Sequence, residues 1–257
     1  MNPTANILSC RPESYGRYWD RAYASLQSLG VRYVEIAAPA VAQVGETAEE
    51  LERYGLRAAS VCFYGPHSEP DFLQKVDDVV ESAAAMGAPV IFTSQHAGET
   101  PRAEVYDRLR RAGDVCARQG VTLCLETHPD LCMNAGLALE TMKGIDHPNV
   151  QINFDPANIL YYNHGAVSLE ELRPIAGYVR SVHLKDSAGG FHEHNFPAIG
   201  DGAVDWRGIF TVLNDLAMTG PFTLEMEGIA GEDLNFEETH ARIQRSIQFL
   251  RGIGAIE

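Results

Sequence analysis

The chain has 257 residues, 45% of them hydrophobic, with 20 basic and 35 acidic side chains and a formal net charge of −15. That is enough apolar material for a sizeable core and gives no sign of disorder. The acidic balance argues against nucleic acid as a habitual partner, because binding a polyanion relies on clustered Lys and Arg.

The five cysteines, Cys10, Cys62, Cys116, Cys124 and Cys132, are odd in number and lack CxxC spacing. They read as reduced thiols of a cytoplasmic protein rather than as disulfides or a zinc knot. The first residues carry no charged segment followed by an apolar one, so no signal peptide is expected. No run approaches the ~18 apolar residues of a membrane span, and no membrane partner is expected.

Taken in order, short apolar runs alternate with segments of helical period. Residues 7–10 read as a first strand, and 15–29 as a helix with Tyr18, Trp19, Ala22, Leu26 and Leu29 as its apolar stripe. A second strand at 31–36 precedes a helix near 47–54, and a third strand covers 56–63. Ser68 is placed to cap the following helix, with Pro70 in its first turn and Phe72, Val76, Val80 and Ala83 facing inward. Residues 89–93 give strand four, and Thr100-Pro101 opens a helix to about Arg118 that Gly120 stops.

Strand five begins at Val121 and ends in Glu126-Thr127-His128, followed by a helix near 135–142. Strands six, seven and eight fall at 150–154, 178–184 and 222–226, with helices at 169–176, 206–216 and from Asn235 to about Leu250. Eight β-then-α units with no composition break imply parallel strands joined by crossover helices. They close most simply into a single (β/α)8 TIM barrel of α/β class spanning residues 1–257, with its reactive groups at the carboxyl ends of the strands. An open doubly wound sheet is the alternative, but no GxGxxG follows strand one to support it.

Four of those strand ends carry chemistry. Glu126, Asp155, His183 and Glu225 stand at the ends of consecutive strands five to eight, on one half of a barrel rim. Three carboxylates gathered there would repel one another at low dielectric unless a cation joined them. A divalent ion resolves the conflict, and three oxygen donors with one nitrogen favour Mn²⁺, Mg²⁺ or Co²⁺ over thiolate-seeking metals. The alternative is four unrelated polar groups, each paired to a Lys or a helix N-terminus.

The segments around these residues resemble a known family. Leu125-Glu126-Thr127-His128-Pro129, Phe154-Asp155-Pro156-Ala157-Asn158, Val182-His183-Leu184-Lys185-Asp186, Gly200-Asp201-Gly202-Ala203-Val204-Asp205-Trp206 and Leu224-Glu225-Met226-Glu227 are similar to motifs of the sugar phosphate isomerase/epimerase superfamily. This xylose isomerase-like barrel group includes ketose 3-epimerases, hydroxypyruvate isomerases, inosose dehydratases and type-IV apurinic endonucleases. The resemblance implies that Glu126, Asp155, His183 and Glu225 ligate one divalent metal ion, Mn²⁺ first, with Mg²⁺, Co²⁺ or Zn²⁺ as substitutes. It also implies a small sugar or polyol as substrate, and relatives that are often homo-oligomers. Asn158 stands where epimerases and endonucleases usually carry His. His67 and His96 are similar to two of the endonuclease histidines, but Ala198 stands where another is needed, so DNA repair is not expected.

The chemistry implied is enolisation. A hydroxy-ketone would chelate the metal, a metal-stabilised enediolate would form, and the catalytic pair Glu126 and Glu225 would exchange the α-proton from opposite sides. Returning the proton gives a metal-dependent isomerase or epimerase of a small keto-sugar or polyol. Losing a β-hydroxyl gives instead a dehydratase (lyase) of a ketocyclitol or keto-sugar; a non-catalytic sugar-binding barrel is a further alternative. Candidate substrate-binding residues are His128 and Lys185, each two positions beyond a ligand and so on the same face, with Asn158, His194, His96 and Glu35. Structural pairings are the alternatives for Lys185, His128 and Glu35. A phosphate group on the substrate is not implied, since neither a Gly-rich phosphate loop nor an Arg pair is apparent.

Overall fold

The computed structural model describes residues 6–256. In chain order the elements are β1 (Leu8–Cys10), α1 (Ala22–Ser28), β2 (Tyr33–Ala37), α2 (Val44–Arg53), β3 (Arg57–Cys62), α3 (Phe72–Met86), β4 (Val90–Thr93) and α4 (Arg102–Arg118). There follow β5 (Thr122–Glu126), α5 (Ala135–Ile145), β6 (Val150–Phe154), α6 (Pro156–Tyr162), α7 (Ser168–Ile175) and β7 (Val179–Leu184). The chain ends with β8 (Asn195–Phe196), α8 (Trp206–Asp215), β9 (Phe222–Leu224), β10 (Gly228–Ile229) and α9 (Phe236–Gly252).

Strands β1 to β7 and β9 pair in parallel and close, with β9 returning to β1 at Leu8–Phe222 and Cys10–Leu224. This is the (β/α)8 barrel expected from the alternating pattern. Helices α3 and α4 bury Val76, Val80, Val105 and Leu109 against it, all at 3% exposure or less. Two small strands outside the barrel, β8 and β10, pair antiparallel with Gly228 opposite Phe196. They tie the loop after β7 to the loop after β9, so both loops stand over the same half of the rim.

Three local expectations need correction. The helix expected at 15–29 is broken, because Gly16 takes a left-handed φ of +54° inside 3-10 turns spanning Pro12–Arg21. Trp19 is consequently 65% exposed rather than part of a packed stripe. Ser68 does not cap α3, whose N-cap position is Asp71 and has no side-chain cap. A helix not foreseen, α6, starts directly after β6: Asp155 accepts the amides of Ala157 and Asn158, and Pro156 sits at the first helical position.

All five cysteines are free and buried. Burial pushes the thiols of Cys10, Cys116, Cys124 and Cys132 up to about 12 and raises Cys62 well above the usual thiol range. Thiolate is the reactive form, so a disulfide reagent at pH 8 is expected to find no accessible thiol in the folded chain and five after unfolding. Spectrophotometric thiol titration with and without denaturant checks this. Among the described residues no helix is long and apolar enough to cross a membrane.

Candidate active site

Side chains alternate along a strand, so residues two apart share a face. Ser181, His183 and Lys185 on β7 and just beyond it therefore point the same way, as do Asn153 with Asp155 and Thr223 with Glu225. At the carboxyl end of the barrel these faces converge. Glu126, Asp155, His183 and Glu225 each offer one ligand atom, and those atoms all lie within 4.8 Å of one another. Asp155 and His183 are fully buried, whereas Glu126 and Glu225 are 9% and 8% exposed. Only the latter two also line the cavity above, which measures about 330 Å³.

Each member of the cluster is held from behind. Thr127 Oγ1 accepts the Asp155 amide at 2.7 Å and donates to the Asp155 carbonyl at 3.1 Å, locking the end of β6 to that of β5. Asn158 Nδ2 donates to Glu126 Oε1 at 3.2 Å. The imidazole of His183 meets Glu35 Oε1 through Nε2 at 2.9 Å, and Ser60 Oγ donates to the other oxygen of Glu35 at 2.6 Å. For Glu35, a substrate-binding candidate with a structural pairing as the alternative, the structure gives the pairing. Glu35 is fully buried beneath His183, on the inward face of β2 and opposite Ser60 of β3.

The electrostatics of the cluster follow from its crowding. Burial would raise the Glu225 carboxyl, but Lys185, His183 and Arg11 together hold it well below the usual range. Burial pushes Asp155 up to about 7 despite the Lys185 ammonium 2.8 Å from its Oδ2. His183 is raised well above an ordinary imidazole, against the effect of burial, by Glu225 and Glu35.

Two buried atoms of the set have charged neighbours but no hydrogen bond of good geometry: Asp155 Oδ2, with the Lys185 ammonium 2.8 Å away, and His183 Nδ1. Nδ1 instead faces Glu225 Oε2 at 3.2 Å and Glu126 Oε1 at 3.6 Å. Buried polar atoms without hydrogen bonds are uncommon. Here they converge with two further carboxylates, and the donor set of three oxygens and one nitrogen fits a hard or borderline divalent cation. Glu35 would then play the part of the carboxylate that orients a ligating histidine. Replacing it, Glu35→Gln, is expected to weaken Mn²⁺ affinity by about 10–100-fold, measured by calorimetric titration of metal-stripped protein.

The other candidates divide. His128, Asn158, Lys185 and His194 line the cavity; His96 is exposed and packs its ring edge-on against His128, 5.0 Å between centroids. Lys185 is 2% exposed and donates to Glu225 Oε2 at 3.0 Å and Glu227 Oε1 at 3.2 Å. His128 donates from Nδ1 toward the Pro129 carbonyl at 3.3 Å, and burial lowers its pKa, which keeps the ring neutral. Its Nε2 lies 2.7 Å from the Tyr162 hydroxyl.

Sequence reasoning missed Arg11, Tyr161 and Tyr162, all of which line the cavity. Arg11 donates to Glu225 Oε1 and to the Tyr64 hydroxyl at 2.9 Å. Its signal was its place two residues after Ser9, on the inward face of β1. Asn158, Tyr161 and Tyr162 share one face of α6 at i, i+3 and i+4, a relation invisible without that helix.

The motif around Gly202 serves the loop rather than the chemistry. Asp186 accepts the amides of Ser187, Gly200 and Val204 and the Trp206 indole N–H. A Cβ at Gly202 would collide with the Asp186 carboxylate and the Ser187 carbonyl, so the loop closes this tightly only around glycine.

Comparison with known proteins adds four findings. A family model described as a xylose isomerase-like TIM barrel matches residues 23–253. The L-ribulose-5-phosphate 3-epimerase UlaE of Salmonella heidelberg (strain SL476) is 26% identical over 263 aligned positions, which cover 88% of each chain. Among solved structures, a xylose isomerase domain protein from Planctomyces limnophilus superposes with a TM-score of 0.74 at 21% identity over 98% of both chains. The D-allulose 3-epimerase of a Methylomonas species, solved with D-allulose, also gives 0.74, at 18% identity over 97% of this chain and 98% of that one.

Proposed function

Because the chain belongs to the xylose isomerase-like TIM barrel family, we propose that it is a divalent-metal-dependent isomerase or epimerase of a small keto-sugar. One observation carries the reading. Four donors converge within 4.8 Å, and the two carboxylates among them that reach the cavity, Glu126 and Glu225, come from strands separated by β6 and β7. The epimerase name carried by the Salmonella relative supports it.

Glu126, Asp155, His183 and Glu225 would hold the ion, with Mn²⁺ the first candidate. When bound, the ion supplies Lewis acidity that makes the carbon next to a carbonyl easier to deprotonate. The chain's own residues do the rest. Glu126, steadied by Asn158, takes the α-proton from one side. Glu225, held ionised by Lys185, His183 and Arg11, lies on the other and delivers a proton there only after taking one from water in the cavity, while the first proton leaves Glu126 to solvent. Lys185 presents its ammonium to the oxygen that gains charge. Tyr64, Tyr161, Tyr162 and Phe196 wall the cavity and limit the water beside the reacting carbon.

The test is proton exchange. Incubated with Mn²⁺ and L-ribulose or D-allulose in D₂O, the protein is expected to place deuterium at the α-carbon, read by NMR. Absence of deuterium from every ketose offered, with the metal shown to be bound, would remove the reading.

A further inference from the structure

We infer that the substrate is a keto-sugar carrying a second sugar ring on a glycosidic bond, and that this second ring is held in a neighbouring cavity beyond Glu227. The inference rests on the keto-sugar reading above and extends it from the reacting ring to the rest of the molecule.

A second cavity of about 280 Å³ opens between the 3-10 turns of Pro12–Arg21 and the segment that joins β9 to α9. It shares one lining residue, Glu227, with the 330 Å³ cavity over Glu126 and Glu225. The antiparallel pair of β8 and β10 spans that junction, with Phe196 lining the first cavity and Ile229 the second. The Glu227 side chain is 40% exposed and meets the Lys185 ammonium at 3.2 Å, so the acid at the junction is tied to the reacting site. Small-molecule sites usually measure ~300–1,000 Å³. Each space alone lies near the bottom of that range, and the two together suit a ligand of two rings. The break at Gly16 that unseats the expected helix is also what leaves room here, since Ser14, Gly16 and Tyr18 form one wall.

The lining says what the second part of the ligand is. Among the described residues it holds three carboxylates, Glu227, Glu232 and Asp233, and one arginine, Arg17. Arg17 is taken up by Asp233 at 2.6 Å and the Leu234 carbonyl at 3.1 Å. A phosphate or carboxylate placed here would meet like charge with no cation to spare. The acids do not call for a cation either, because Arg242 meets Glu232 at 2.6 Å and Lys185 meets Glu227. A paired carboxylate still has lone pairs to offer, and the matching partner is a neutral group rich in O–H donors. Tyr18 adds ring surface against which the C–H face of a sugar packs.

The experiment uses the full chain loaded with Mn²⁺ and ligands that share one ketose: D-fructose and its glucosides through O4, O5 and O6, namely maltulose, leucrose and isomaltulose. All leave the oxygens nearest the carbonyl free. At least one glucoside is expected to bind about ten-fold tighter than D-fructose by calorimetry, the effect of one or two net hydrogen bonds. Tyr18→Ala removes the ring surface, and Thr239→Trp fills the second cavity from α9. Each should bring the ratio of glucoside to fructose affinity back toward one.

No glucoside binding tighter than D-fructose overturns the inference. So does a ratio that keeps its wild-type value in Thr239→Trp. A glucoside preference without deuterium exchange at the α-carbon would uphold the second site and refute the enolisation reading. Exchange on D-fructose with no preference for any glucoside would do the reverse, so the two fail separately.

Discussion

Glu126→Gln is expected to lower the rate of α-proton exchange by about 10²–10⁴-fold, the usual contribution of one positioned acid–base group. Glutamine has the same shape, and its amide oxygen can still accept the hydrogen bond that Asn158 donates at 3.2 Å. What it cannot do is take a proton. Glu126 is also placed to ligate, so the variant's metal content must be read in parallel by elemental analysis. An exchange rate that falls while one ion per chain is retained assigns the loss to proton transfer. An unchanged rate with the ion bound would mean that Glu126 is not the base.

The second large effect concerns Asp155. Asp155→Asn keeps the oxygen that caps α6 but removes the charge that the ion needs and that Lys185 meets at 2.8 Å. It is expected to abolish the rise in Tm that Mn²⁺ gives the wild type, since a ligand stabilises only the state that binds it. The pH dependence has a definite sign. Burial lifts the Asp155 carboxyl to about 7, above the ~4 of an unfolded chain. Its contribution to the stability of ion-free protein is thus fully present below pH ~4 and lost as pH rises through about 7. An ion binds the ionised carboxylate and must displace that proton at lower pH. The Tm increment on adding Mn²⁺ is therefore expected to be larger at pH 8 than at pH 5, checked by thermal melts of stripped and reloaded protein.

The strand ends were the legible part of this site. Alternation along a strand places Glu126, Asp155, His183 and Glu225 on inward faces, and consecutive parallel strands bring their ends together, so both facts can be read from residue order. Glu35 obeyed the same rule, and its inward face was legible; which of the two readings held, substrate contact or structural pairing, depended on His183 and Ser60 meeting its two oxygens, a relation between separate strands that residue order does not give. Arg11 went unseen because β1 has only three residues, too few to show a face. Tyr162 went unseen for another reason: Asp155-Pro156 read as the end of a strand, although aspartate followed by proline is also a sound way to begin a helix. The kink at Gly16 depended on a backbone conformation that glycine permits without announcing it.

What remains at the centre is whether one ion joins the four side chains. Crystals of Mn²⁺-loaded protein, with anomalous diffraction recorded on both sides of the manganese edge, address that directly. The expected result is a single peak per chain about 2.0–2.3 Å from oxygens of Glu126, Asp155 and Glu225 and from Nδ1 of His183. Full loading of the protein with no peak between those residues would contradict the account.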